Sequence, residues 1–356
     1  MSARTPLAKN ASLARAVRSP KARAVVALSA AAALALANAA CGGDSAGPGE
    51  GAGAGSSSGG PSVSSSTSGG GASVCTVFPG DNWWNTDVSQ SPLDANSDNY
   101  VSFLDAIDDG PLHADFDSCC QDGIPFAYVD DSVTKVDVSF TYADDSDKGP
   151  YPIPSNVPQE NGSDGHVILV DTSECKLYEL FAADDSSGQW QAGSGAIFDL
   201  TSNALRPDCL TSADAAGLPI FPGLVRYDEV SAGAIDHALR FTVDKTQQAW
   251  IKPARHQASS ETSHDAPPMG LRFRLKNNAH VNGILAAAGP QPKVVMTALQ
   301  TYGMFVADNG SNWYVSGEPS SHWDDDSFHE AFDQIHGDDF EVVDTGETIE
   351  FQSECH

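Results

Sequence analysis

The stretch MGLRFRLK, residues 269–276, decides how the chain is read. Met269, Leu271, Phe273 and Leu275 alternate with Gly270, Arg272, Arg274 and Lys276, so a strand here carries one apolar and one cationic face. Working outward, ALRFTV (238–243) repeats the pattern. Leu239, Phe241 and Val243 share a face with His237, and Arg240 points the other way. HVILV (166–170), KLYELFA (176–182) and AIFDL (196–200) are further runs of β-branched, aromatic or Leu residues bounded by turn formers. Helical spacing is confined to SDNYVSFLDAID (97–108) and PKVVMTALQTYG (292–303), the latter stopped at Gly303. MFVADNGSNWYVSG (304–317) predicts a hairpin turning at Asp308-Asn309-Gly310. Together these pieces predict a mainly β fold, a sandwich or barrel-like single domain with a few short helices.

The N-terminus predicts export. Residues 1–40 carry Arg4, Lys9, Arg15, Arg18, Lys21 and Arg23 and then an apolar run ending in small residues, the pattern of a signal segment. A retained membrane anchor competes, because the run is close to the shortest span. Ala39-Ala40-Cys41-Gly42 resembles the end of a bacterial lipoprotein signal, which would make Cys41 the acylated N-terminus and an outer-membrane or cell-surface lipid anchor the membrane contact. Asn38 stands where that pattern has an aliphatic residue, and ordinary cleavage after Ala37-Asn38-Ala39, giving a secreted protein, is the alternative. Residues 41–74 are Gly, Ser, Ala and Pro in the main and predict a tether; 75–356 is the globular body.

Six cysteines follow Cys41: Cys75, Cys119, Cys120, Cys175, Cys209 and Cys355. In an exported body they predict three disulfides, with Cys75–Cys355 stapling the ends and the adjacent Cys119 and Cys120 reaching different partners. A formal net charge of −29 argues against nucleic acid and anionic lipid headgroups as partners and leaves neutral glycans and cations. The loops DANSDN, YADDSDKG, AADDSSG and WDDD offer oxygen ligands for Ca2+, though none has the spacing of a helix–loop–helix calcium site. His256, Glu261, His264 and Asp265 form a weaker candidate metal set.

The densest chemistry lies between residues 198 and 255. TSADAAG (211–217) predicts a brief capped helix; Asp228 and Glu229 are neighbours in YDEV (227–230), so on a strand they would face opposite sides. Asp214 paired with Asp228 or Glu229 would supply acid and base for glycosidic cleavage, with His237 as proton relay. Arg206, Arg226 and Arg240 would position substrate as planar forks of donors. Tyr227 with His237 and Arg240 would instead serve a polysaccharide lyase. Trp313 and Trp323, beside polar residues as in DNWWNTD, would offer flat faces to sugar rings. A helix cap for Asp214, ion pairs for the arginines, a core position for His237 and loop plugs for the indoles are the structural alternatives.

Several segments, among them NWWNTDVS, FDLTSNALRP, TSADAAGLPIFPGLVRYDEV, HALRFTV, PARHQAS and PPMGLRFRLK, resemble a group of bacterial secreted proteins and lipoproteins with no established activity. The likeness runs from about residue 81 to 325 and implies one exported, non-repetitive domain; it assigns no residue a role. The expectation is a cell-surface protein that cleaves or binds extracellular polysaccharide, with a purely structural envelope role as the alternative.

Overall fold

The computed structural model describes residues 75–346 and 349–350. The export signal, Cys41, the tether and Cys355 lie outside them. The strands are β1 (His113–Asp115), β2 (Phe126–Val129), β3 (Ser139–Phe140), β4 (Val167–Asp171), β5 (Lys176–Phe181), β6 (Gln191–Ala192), β7 (Ser194–Asp199), β8 (Leu239–Val243), β9 (Ala249–Trp250), β10 (Arg272–Leu275), β11 (Met304–Asn309), β12 (Tyr314–Ser316), β13 (Phe340–Val342) and β14 (Ile349–Glu350). The α-helices are α1 (Ser97–Asp105), α2 (Tyr227–Ala232), α3 (Ala279–Ala287), α4 (Pro290–Thr301) and α5 (Asp325–Phe332). A six-stranded sheet runs β1-β12-β8-β11-β10-β13 and a four-stranded sheet β2-β4-β5-β7; β3 pairs with β6 and β9 with β14.

The sheets are open and mix parallel with antiparallel pairs, so the sandwich or barrel-like all-β expectation is overturned in favour of a mixed α/β domain. The strand readings at 166–170, 176–182, 196–200, 238–243 and 271–275 correspond to β4, β5, β7, β8 and β10, and the two helical readings to α1 and α4. What the strand-rich reading missed is α2, α3 and α5, and the order of strands. The predicted hairpin is not one: β8 lies between β11 and β12, parallel to the first and antiparallel to the second. TSADAAG is a turn and not a helix, held by Ser212 Oγ, which accepts from Asp214 N–H at 2.9 Å. YDEV opens α2, because Asp228 and Glu229 suit the N-terminal turn of a helix and Gly233 (φ 94°) ends it.

The six-stranded sheet has two different faces, as the alternation in MGLRFRLK requires. On one, Phe241, Phe273 and Phe340 surround Trp313, whose ring lies 12° from Phe241 and 8° from Phe340. The other carries Arg240, Arg272 and Arg274, and it too is buried. Arg272 reaches the carbonyls of Tyr302, Trp83 and Thr86 and lies 4.8 Å over the Phe305 ring. One continuous core takes in this sheet and one face of the four-stranded sheet; a smaller cluster around Tyr151, Leu169 and Tyr178 covers the latter's other face. Gly303 at the α4–β11 junction has φ 67°, and a Cβ there would sit 2.2 Å from Phe273 O, so only glycine fits.

Cys75 pairs with Cys175, which corrects the proposed Cys75–Cys355 staple. Cys119 and Cys209 are also disulfide-bonded, while Cys120 is an exposed free thiol, so the adjacent cysteines do not both bridge. Among the described residues no helix is long and apolar enough to cross a membrane.

Candidate functional site

The cationic face of the six-stranded sheet gathers several buried ionisable groups. Arg240 extends from β8 and donates through Nε to Asp214 Oδ2 (3.1 Å), through Nη2 to Asp214 Oδ1 (2.9 Å) and through Nη1 to Ser316 Oγ on β12. β1 pairs in register with β12, Asp115 opposite Ser316, so Asp115 stands on the same face. A bulge between Val306 and Asp308 sets Asp308 opposite Thr242, which shares Arg240's face. Carboxyl groups from β1, from the 211–217 turn and from β11 therefore surround one guanidinium.

Burial sets their acidity. Asp115 is pushed up to about 6 by burial, with Arg240 pulling it down and Asp122 and Glu160 raising it further. Asp308 is pushed up to about 7 by burial and by Asp214, against the pull of Arg240. Both side chains remain half-buried and not sealed. Asp115 accepts no side-chain hydrogen bond among the described residues, and Asp308 accepts only that of Asn309 N–H at 2.7 Å. Beside them His166 Nδ1 lies 2.5 Å from Glu160 Oε2 and Nε2 lies 3.1 Å from Ala213 O. A carboxylate and a carbonyl both accept, so the two ring nitrogens both donate and the ring is cationic. Burial opposes that charge, but the contact with Glu160 outweighs it and raises the imidazole's pKa. His113 and Tyr314, half-buried on the same face next to Asp115, meet with ring centroids 4.2 Å apart and planes tilted by 34°.

Glu179 lies fully buried in β5 and accepts from Ile220 N–H and Phe221 N–H. Burial pushes its carboxyl up to about 7. The folded state therefore holds a proton that the unfolded chain releases near its model value of 4.5. Stability is full below pH 4.5, falls as pH rises to about 7 and is level above that. Glu179→Gln keeps an acceptor for both N–H groups and removes the ionisation. It is expected to match the wild type at pH 5 and to exceed it at pH 8 by up to about 3 kcal/mol in urea unfolding. A variant less stable than wild type at both pH values would refute this account of Glu179.

A second cluster forms at α2. Arg226 binds Phe221 O (2.8 Å) and Glu229 Oε1, and His237 Nε2 lies 3.0 Å from Glu229 Oε2 while Nδ1 donates to Ala238 O. Burial works against the Glu229 charge, but His237 and Arg226 outweigh it and hold its pKa low. Glu318 accepts from Tyr227 N–H, and the Tyr227 ring meets His322 and Trp323.

The residues singled out from sequence are thus divided between two places. Asp214 joins Arg240, but its side chain has no exposure and is spent on the guanidinium, so it cannot meet substrate as catalyst. Asp228 is exposed at the start of α2, and Glu229 and His237 are paired with each other. No hydrogen bond or ion pair joins the two clusters among the described residues, and Asp214 and Arg240, like Glu229 and His237, are committed to partners within their own cluster. Arg206 is occupied by Asp147, Asp145 O and Thr211 O, so it too has no fork to offer. Trp313 and Trp323 are core residues and not platforms, the latter donating its indole N–H to Glu318 O. His256 Nδ1 donates to Ala215 O in the distant 211–217 turn, Glu261 takes Ser263 N–H, and His264 meets Gln247. Neither that set with Asp265 nor the acidic loops proposed for Ca2+ comes together: among the described residues no group of three or more His, Cys, Asp or Glu is placed to hold a metal.

Sequence reasoning missed Asp115, Glu160, His166, Asp308 and Ser316. The alternation His113–Asp115 between Leu112 and Phe116 was the available signal for one of them. A separate small pocket is lined by Phe78, Asn82, Trp83, Trp84, Phe198 and Leu205 among others. No protein-family model, no curated protein and no solved structure matches the chain.

Proposed function

We propose that the protein is an exported, cell-surface hydrolase of extracellular polysaccharide, with Asp115 as general base and Asp308 as general acid. The observation that carries this is the pair of half-buried carboxyl groups on one sheet face, pushed up to about 6 and about 7, around the Arg240–Asp214 pair. Both are raised toward neutral pH around one guanidinium, so the pair can hold one ionised and one protonated carboxyl there, the division of labour that glycosidic cleavage needs. Two strands, β12 and β8, separate β1 from β11, which places the two backbones roughly 14 Å apart. Both carboxyls interact electrostatically with Arg240, and an inverting mechanism would need them about 6.5–9.5 Å apart, far enough to admit a water. The half-buried Tyr314 ring, in contact with His113 beside Asp115, would offer an aromatic face to a sugar ring.

A second reading, binding without cleavage, is favoured by the pocket at Trp83, where a half-exposed indole stands beside Asn82 as NWWN suggests. The two separate in one experiment. The purified full chain is incubated with a panel of neutral, amine-bearing and uronate polysaccharides at pH 6.5, and new reducing ends are counted. Release from at least one polymer supports hydrolysis. Retention of a polymer with no release from any of them would replace it with the binding function.

A further inference from the structure

Polar side chains from the four-stranded sheet grip the segment between residues 212 and 221. Ser194, at the start of β7, donates to Ser212 O at 2.7 Å. Glu179 on β5 accepts from Ile220 N–H and Phe221 N–H. His166, buried directly before β4, brings Nε2 to 3.1 Å from Ala213 O. The ring is itself held from the other side. Nδ1 lies 2.5 Å from Glu160 Oε2, His166 N–H donates to the same oxygen, and Glu160 N–H donates to His166 O.

The contact with Ala213 O differs from the other two in what it fixes. The carbonyl of Ala213 and the N–H of Asp214 belong to one planar peptide unit. His166 holds its C=O and Ser212 Oγ accepts its N–H at 2.9 Å, so the plane is pinned at both edges. The Asp214 side chain hangs from that plane, and its two oxygens accept from Arg240 Nε and Nη2. Two residues on, Ala216 N–H donates to Ala307 O, the neighbour of Asp308. A plane free to turn would swing the Asp214 carboxylate and break the paired bonds that orient the guanidinium.

We infer that His166 is a positioning residue of the sheet-face site: through Ala213 O it sets the orientation of Asp214 and, through Asp214, that of the Arg240 guanidinium. The positioning stands on these hydrogen bonds alone. Its consequence for catalysis rests on the hydrolase function proposed above.

The test follows hydrogen exchange at arginine Nε–H groups by NMR, in the purified full chain with isotope-labelled arginine, and needs no substrate. His166→Gln keeps an amide donor where Nε2 stands, and His166→Asn places its amide where Nδ1 stands. Both discard the buried cation, and only the second gives up Ala213 O. Arg272 Nε–H, held by Tyr302 O on the same sheet face but away from the turn, is the internal reference. Relative to it, Arg240 Nε–H is expected to exchange about ten-fold faster in His166→Asn than in the wild type, and at the wild-type rate in His166→Gln. Equal acceleration at both arginines, equal acceleration in both variants, or none in His166→Asn would overturn the inference. Should His166→Asn not fold, the wild type decides. In urea below the unfolding transition, His166 Nε2–H and Arg240 Nε–H should be released together, and separate release would sink the positioning role. Where a polymer is cleaved, His166→Asn should lower kcat about ten-fold with KM unchanged, and His166→Gln should recover it. Cleavage of no polymer removes the hydrolase and leaves the exchange rates to decide the positioning. Cleavage with an unmoved Arg240 signal in His166→Asn keeps the hydrolase and discards the role of His166.

Discussion

Asp115→Asn and Asp308→Asn are each expected to lower kcat/KM on the cleaved polymer by about 10^2- to 10^4-fold. The wild-type profile should be a narrow bell, because the base is pushed up to about 6 and the acid to about 7. The two groups share Arg240, so the limbs belong to the pair and not to either residue alone. The variants differ in kind. Asp308→Asn removes proton donation to the leaving oxygen, so its loss should shrink on aryl glycosides whose leaving group needs no proton. Asp115→Asn removes activation of water, so its loss should persist on those substrates and be relieved by azide. Both variants keep the side-chain volume and remove a strained charge, so folding is not expected to suffer. Wild-type rates in both would leave the sheet face without a catalytic role.

How much of this was visible in the chain follows from which contacts are local. The alternation in MGLRFRLK and ALRFTV gave the correct faces, because side-chain parity along a strand depends on nothing beyond the strand. It could not show that the cationic face is buried. Arg272 is held by the carbonyls of Trp83 and Thr86, almost two hundred positions away in sequence, and burial without a carboxylate partner pulls it down to about 9. The hairpin expectation at Asp308-Asn309-Gly310 failed for a similar reason. The turn chemistry is sound, but β8 arrives from far upstream and inserts between the two strands.

The same non-local placement hid the site. YDEV satisfies a two-residue period and a helical first turn equally, and the Glu318 carboxylate at Tyr227 N–H, together with Gly233, resolves it as helix. Asp214 was legible as the acid of a turn, yet its meaning changes once Arg240 closes on it. Asp115 sits in a three-residue edge strand and Asp308 in what reads as a turn; neither acquires a raised carboxyl until the sheet brings both to one guanidinium. A single sequence carries the acids and their faces, and the sheet order decides which of them meet.

Arg240→Met is expected to destabilise the protein at pH 8 by about 3–5 kcal/mol, the cost of leaving buried charge uncompensated. Methionine fills much of the same volume, so the loss reports charge more than packing. With the guanidinium gone, Asp214 faces Asp308 and Glu179 with no cation between them. At pH 5 the latter two hold their protons, since both are raised to about 7, and the penalty should shrink. Asp214→Asn should behave in the opposite sense. It removes one of the charges that raises Asp308, so the Asp308 carboxyl, already largely ionised at pH 8, carries its charge at lower cost there and serves as counter-ion to Arg240. At pH 5 Asp308 is protonated, Arg240 loses that substitute, and the penalty grows. Urea unfolding of both variants at pH 5 and pH 8 therefore gives slopes of opposite sign. Parallel slopes would mean that Asp308 does not sense Arg240 and Asp214, and the electrostatic basis for an acid on β11 would go with it.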